Sequence, residues 1–259
     1  MPEHRRDMTS ILQLRDDFTR FMLAYRFGLD EVMTKLTILR DEFNYAHSYN
    51  PIEHVGSRLK SPDSILQKAH RKGIPFTLED IKSQMFDIAG VRVTCAFQSD
   101  IYRIRDLLVG QQDLTLLAER DYIAEPKPNG YKSLHLIVQV PVFMSDRVEP
   151  VTVEIQIRTI AMDFWASLEH KIYYKYDKEI PAELLAELKD AADVANALDI
   201  KMEHLHNTVL TIKGATTGDS SADMQGLIPS QQLLEAFLRE SAPAPQAPDD
   251  TAGDEPDKR

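Results

Sequence analysis

At 259 residues, 43% hydrophobic and 27% charged, the chain can bury a sizeable core, and one domain with tails is expected. No apolar run approaches the roughly 18 to 20 residues of a membrane span, and MPEHRRDMTS lacks the apolar segment of a signal peptide, so a cytoplasmic protein with no membrane partner is expected. The formal charge of −11, with nine acids against three bases after position 215, argues against general nucleic-acid binding, and the single cysteine excludes a disulfide framework or a Cys-rich zinc site.

Residues 9–46 read as helix, with Ile11, Leu14, Phe18, Phe21, Met22 and Tyr25 on one buried face. Gly28 and Asp30 are expected to break or kink it before Val32, Leu36, Leu39 and Phe43 resume the pattern. In EHVGSRLKSPDSILQKAHRKG, residues 53–73, Ser61 and Pro62 form a helix start and Gly73 a stop. Arg58, Lys60, Lys68, Arg71 and Lys72 face a single acid, Asp63, and Ser64, Lys68, Arg71 and Lys72 share one helical face. Such a cluster is either a solvated helix end complementing its dipole or a cradle for a polyphosphate.

A short helix from Thr77 leads to DIAGVRVTCAF, residues 87–97. Here Arg92 and Thr94 oppose Val91, Val93, Cys95 and Phe97, with Asp87 at the strand entrance; Cys95 reads as a small buried hydrophobe. Residues 99–109 form a capped helix ended by Gly110. The Pro/Asn/Gly-rich loop at 126–130 presents Lys127 and Tyr131, after which Ser133 and His135 oppose Leu134, Leu136 and Val138. VTVEIQIR, residues 151–158, alternates Thr152, Glu154, Gln156 and Arg158 with Val151, Val153, Ile155 and Ile157. Taken alone, it is equally a solvated surface strand or a site wall. Three strands breaking an apolar pattern on one side only would, if paired in one sheet, line a concave polar surface.

DIAGVRV, RDYIAEPKPNGYKSLHL and VEIQIRTIAMDFWASLEHKIYYKY resemble the synthetase domain of the RelA/SpoT family, and most closely its small, single-domain alarmone synthetases, over about residues 10 to 210. The resemblance implies an α+β fold, a mixed β-sheet flanked by helices and similar to nucleotidyltransferases. The implied activity is that of a GTP diphosphokinase: pyrophosphate passes from ATP to the ribose 3′-hydroxyl of GTP or GDP, giving the alarmones (p)ppGpp and AMP. It implies Arg58 and Arg92 on either side of adenine, Lys60, Ser64, Lys68 and Arg71 at the ATP phosphates, and Asp87 as a magnesium ligand. Glu154 is implied either beside Asp87 at Mg²⁺ or as acceptor of the hydroxyl proton. Tyr131 would stack on guanine, with Arg120, Lys127, His135 and Gln156 near the acceptor nucleotide. Some relatives carry Asn where this chain has Asp163. Arg158 is grouped by alternation with Glu154 and Gln156, and reads alternatively as marking only the passage from strand to helix at Thr159. No His-Asp motif of the family's hydrolase domain appears, so a synthetase without hydrolase is expected.

Pro181 opens a helix expected to reach Lys213. Leu185, Leu188, Ala192, Ala195, Leu198, Met202, Leu205, Val209 and Ile212 form a stripe suited either to its own domain or to another subunit. The resemblance to oligomeric small synthetases favours a homo-oligomer, and a tetramer among these. The domain division is thus a catalytic domain over 1–180, a helix over 181–214 and an acidic tail over 215–259, expected to be mostly disordered with a short helix near 231–239. No stable nucleic-acid partner is expected. The other readings are a toxin-type relative acting on adenine nucleotides or the tRNA 3′ end, and a non-catalytic nucleotide-binding regulator.

Overall fold

The computed structural model describes residues 3–175 and 181–216, which belong to one compact unit, Met1–Ser220. The expected disordered tail and its helix near 231–239 lie outside the described residues. Among the described residues no helix is long and apolar enough to cross a membrane.

The elements run α1 (Glu3–Ala46), β1 (Ile52–Leu59), α2 (Pro62–Lys72), α3 (Leu78–Gln84), β2 (Ala89–Cys95), α4 (Gln98–Val109), β3 (Thr115–Asp121), β4 (Leu134–Phe143), β5 (Val148–Thr159), α5 (Ile160–Lys175) and α6 (Ala182–Thr216). The five strands form one mixed sheet in the order β1-β2-β5-β4-β3, in which only β2 and β5 run parallel. This is the α+β architecture expected.

The apolar set of each strand faces a single core. Val91, Val93, Leu134, Leu136, Val153, Ile155 and Ile157 are buried there with Val32, Leu36 and Phe43 of α1 and Ile101, Ile104 and Leu108 of α4. Each such aliphatic side chain contributes about 1.5–3 kcal/mol as an upper bound, so the sheet's lower face holds most of the fold's hydrophobic stabilisation.

Two expectations for α1 are corrected. Gly28 and Asp30 do not interrupt the helix, which is continuous over 44 residues. A β carbon at Gly28 would lie 2.5 Å from Val151 Cγ1, so the glycine allows α1 to approach β5 closely. Asp30 is exposed and paired one turn back with Arg26 at 3.2 Å. Leu14, expected in the buried face, is 63% exposed because the sheet begins beneath the later turns.

Caps fall where side-chain chemistry puts them. Ser61 Oγ accepts from the Ser64 backbone N–H, Pro62 occupies the first turn, and Gly73 at φ 66° ends α2. Thr77 caps α3 in the same way. Along α6, Leu188 and Ala192 are buried, whereas Leu198, Met202, Leu205, Val209 and Ile212 are each about half exposed. The apolar stripe of the second half of the helix is therefore only partly covered by the described residues.

Candidate active site

The upper face of the sheet is polar because register aligns the off-pattern residues of the strands. One cross-strand row contains Gly56, Arg92, Gln156, His135 and Arg120, from β1 through β2, β5 and β4 to β3. The next row brings Arg58, Gly90, Glu154 and Ile137 together, and on the other side Thr94 pairs with Arg158. Partners in a row share a face, so six of the expected site residues, Arg58, Arg92, Arg120, His135, Glu154 and Gln156, are brought together by pairing alone.

Glycines shape this surface. Arg92 is opposite Gly56 and Arg58 is opposite Gly90, so each guanidinium has an empty position across the strand pair. The two arginines are diagonal neighbours, a relation that places β carbons roughly 7–8 Å apart, about twice a van der Waals contact distance of 3.5–4.0 Å. A flat ring fits between such groups. The face opens into a cleft of about 660 Å³ lined by Arg58, Asp87, Arg92, Tyr131, Glu154 and Gln156, with Asp163 and Ser167 of α5 on the opposite wall.

At one end, the Lys60 backbone N–H donates to Ile88 O at 2.8 Å and ties β1 to the entrance of β2, bringing Lys60 beside Asp87. Lys60 and Lys68 both donate to Asp87 Oδ2, at 2.6 and 2.5 Å. Burial alone would push the Asp87 carboxyl up, but the hydrogen bonds and charges of the two lysines outweigh it and hold it below the ordinary value. Burial in turn pulls the Lys60 ammonium below its usual value, against the attraction of Asp87. The second oxygen, Asp87 Oδ1, is buried without a hydrogen-bond partner. An orphaned carboxylate oxygen on a residue that lines a cleft is unusual in a folded protein and suits a cation.

The centre of the face is a directional hydrogen-bond chain. Arg158, only 4% exposed, donates to Tyr131 Oη at 2.7 Å. Tyr131 Oη lies 2.7 Å from His135 Nε2, and His135 Nδ1 lies 3.2 Å from Glu154 Oε1. Arginine can only donate and a carboxylate can only accept, so the phenol proton points to Nε2 and a singly protonated ring carries its proton on Nδ1. Gln156 runs parallel to this chain: its Oε1 accepts from Arg158 at 2.6 Å and its Nε2 donates to Glu154 Oε2 at 3.0 Å. Both Glu154 oxygens are thus held. Burial would raise its carboxyl, yet the His135 and Gln156 bonds win and keep it below the ordinary value.

Arg158 was read as a strand-to-helix junction; it is instead the buried centre of the network. Asp163 Oδ1 lies 3.2 Å from both Arg158 Nη1 and Arg92 Nη1, so one carboxylate balances two guanidiniums. Arg158's only sequence signal was its place on the same alternating face as Glu154 and Gln156. Tyr122, an unmarked residue, contributes a ring edge-on to His135 at 5.1 Å. Lys127 lies 4.6 Å from the ring centroids of both Tyr122 and Tyr131. Ser64 and Arg71 stand exposed on α2 and are not in the cleft wall; Ser64 Oγ instead accepts from Ser61 Oγ at 2.8 Å.

A surface with lysines and arginines around two carboxylates, one of them with an orphaned oxygen, can bind polyphosphates and direct a hydroxyl among them. Comparison with known proteins narrows the class. Residues 57–179 match the model of a region found in RelA / SpoT proteins. GTP pyrophosphokinase YwaC of Bacillus subtilis is 50% identical over 199 residues, 77% of this chain and 93% of that protein. Small alarmone synthetase 1 from Bacillus subtilis, bound to its product pppGpp, aligns with a TM-score of 0.70 at 41% identity, over 74% of this chain and 98% of that one. The same synthetase bound to AMPCPP gives 0.65 at 38% identity, over 76% and 99% of the two chains. Similarity that spans nearly the whole of these small proteins leaves one conclusion: the chain belongs to the RelA/SpoT family, among its small alarmone synthetases.

Proposed function

We propose that this chain transfers pyrophosphate from ATP to the ribose 3′-hydroxyl of GTP or GDP, forming (p)ppGpp and releasing AMP. The observation that carries the reading is the shared face: the diagonal arginine pair over two glycines lies directly beside Glu154, with Tyr131 and Lys127 beyond it.

Adenine enters between Arg58 and Arg92, whose planar cations stack where lysine would not. Lys60 and Lys68 turn from Asp87 to the donor phosphates, joined from the exposed face of α2 by Ser64 and Arg71. Tyr131 stacks on the acceptor base, and Lys127, Arg120, His135 and Gln156 surround its sugar and phosphates. The acceptor oxygen attacks the β-phosphorus as the bond from that phosphorus to the oxygen shared with the α-phosphate breaks and AMP leaves with the electron pair. Glu154, held ionised, accepts a hydrogen bond from the 3′-hydroxyl and takes its proton only as the new P–O bond forms, because so weak a base cannot remove it beforehand.

Mg²⁺ is the proposed cofactor. Asp87, whose Oδ1 has no hydrogen-bond partner, and Glu154 are the two carboxylates that would hold it; the described residues contain no cluster of three or more His, Cys, Asp or Glu, so oxygens of water and substrate phosphate would be needed besides. When bound, the ion neutralises charge on the phosphate oxygens. Assembly with copies of itself across the exposed stripe of α6 belongs to the same reading, and a monomeric mass in solution would remove it.

The test is transfer of label. Purified protein with ATP labelled in its β-phosphate, Mg²⁺ and, separately, GTP, GDP, ATP or tRNA is expected to yield labelled guanosine 3′-diphosphates only. Label appearing on tRNA or on adenosine nucleotides alone would establish the toxin-type activity instead.

A further inference from the structure

The family model ends at residue 179 and α6 begins at Ala182, yet the loop carrying Lys127 and Tyr131 is built onto α6. Gly130 has φ 88°, and a β carbon there would lie 2.5 Å from Ala192 Cβ and 3.6 Å from Lys189 Cα. The loop backbone therefore rests on the helix with only a methyl group beneath it. Lys132 Nζ donates to Asn196 Oδ1 at 2.6 Å, one turn along the same face of α6. On the other side of Gly130, Asn129 Nδ2 donates to Glu169 Oε1 of α5 at 3.1 Å.

Tyr131 itself packs against the cluster of Trp165, Ala166, Leu188 and Ala192. Trp165 Nε1 donates to Leu188 O at 2.8 Å, joining α5 to α6 within that cluster. The helix is in turn fixed to the sheet, because the buried Thr159 donates to the buried Asp199 Oδ2 at 2.6 Å. Thr159 follows Arg158, so α6 is referenced to the same strand end that sends Arg158 to the Tyr131 hydroxyl. Two of the contacts that position the Tyr131 ring, the Arg158 hydrogen bond and the Trp165 to Ala192 cluster, thus lead back to one helix, while His135 holds its hydroxyl from the sheet.

We propose that α6 is the seat of the acceptor loop and that Ala192 is a positioning residue for the acceptor nucleotide, acting through Gly130 and Tyr131. This rests on the reading that Tyr131 and Lys127 hold the acceptor. Ala192 is not among the residues that line the cleft, and its contacts run to Gly130 and Tyr131, so a larger side chain there acts first on the loop that holds the acceptor. A larger side chain at 192 lifts the loop and displaces the stacking ring, and displacements of about 1 Å are enough to weaken a built site strongly.

Ala192→Leu, Asn196→Ala and Tyr131→Ala are compared with the unaltered protein for KM of GTP, KM of ATP and thermal unfolding. Leucine is a strong helix former, so α6 is retained in the first variant. Ala192→Leu is expected to raise KM for GTP about tenfold, equivalent to about 1.4 kcal/mol, and Asn196→Ala about threefold, with KM for ATP within about twofold. Equal rises in both constants, or no rise for GTP, would overturn the seat. If Ala192→Leu loses its cooperative unfolding transition, Asn196→Ala decides by the same criterion. Tyr131→Ala separates the two layers: an unchanged KM for GTP there removes the acceptor-site reading and the seat with it. A raised value in Tyr131→Ala alone removes only the seat.

Discussion

At the scale of single residues, the site works by opposing burial with hydrogen bonds. Glu154 and Asp87 are both partly buried, which by itself would raise their pKa values, and each is instead held below its ordinary value by a fixed set of donors. Asp87 gives a pH prediction whose sign follows from linkage. Its folded pKa lies below the ordinary 3.8, so its stabilisation is present above about that pH and is lost as pH falls through the folded value. Asp87→Asn is expected to lower the melting temperature near neutral pH, where Lys60 and Lys68 lose their shared partner, and the gap from the parent protein should narrow below about pH 4. A gap of constant size across that range would show that the carboxylate is not held by the two lysines. Local pattern revealed these acids as candidates and put Arg158 on the same face, but it did not reveal that Arg158 is buried at the centre of the network. A buried guanidinium depends on Tyr131, Ser133 and Asp163, which come from the segment leading into β4 and from a helix, and no local pattern reports that convergence.

At the scale of elements, periodicity was a good guide to helices and strands because amphipathic faces are local properties. It failed where one element's sequence serves another element's shape. Gly28 looked like a helix breaker because glycine costs about 1 kcal/mol relative to alanine in a helix interior. Its purpose is set by Val151, more than a hundred residues later in the chain, against which α1 lies without room for a methyl group. Gly28→Ala therefore pits better helix propensity against overpacking, and overpacking of a dense core, typically about 1–3 kcal/mol, is the larger effect. The variant is expected to be less stable in urea titration by about 1–2 kcal/mol; a stabilised variant would show that the helix moves freely off the sheet. The α6 stripe is the converse case. Its spacing announced a buried face, yet burial is confined to the first half, where Trp165 and the acceptor loop meet it.

At the scale of the whole molecule, the sheet divides the labour. Its lower face buries α1 and α4 and supplies stability, while the upper face, walled by α5, lines up polar and charged residues from the five strands. The polar face was legible strand by strand, and its three central members, Arg92, His135 and Glu154, do lie in neighbouring positions. Strand order and the parallel pairing of β2 with β5 were not legible, because they are set by contacts between segments some sixty residues apart and leave no trace in alternation. The roles of Ser64 and Arg71 rest on resemblance, since neither lines the cleft in the free protein.

The central claim is that this upper face performs the transfer, with Glu154 receiving the 3′-hydroxyl proton. Glu154→Gln preserves size and one acceptor while removing the charge, and leaves Arg58, Arg92, Lys60 and Lys68 in place. Measured together, transfer should fall by at least about a hundredfold while the dissociation constant for ATP stays within about threefold. Turnover near that of the unaltered protein would contradict the account.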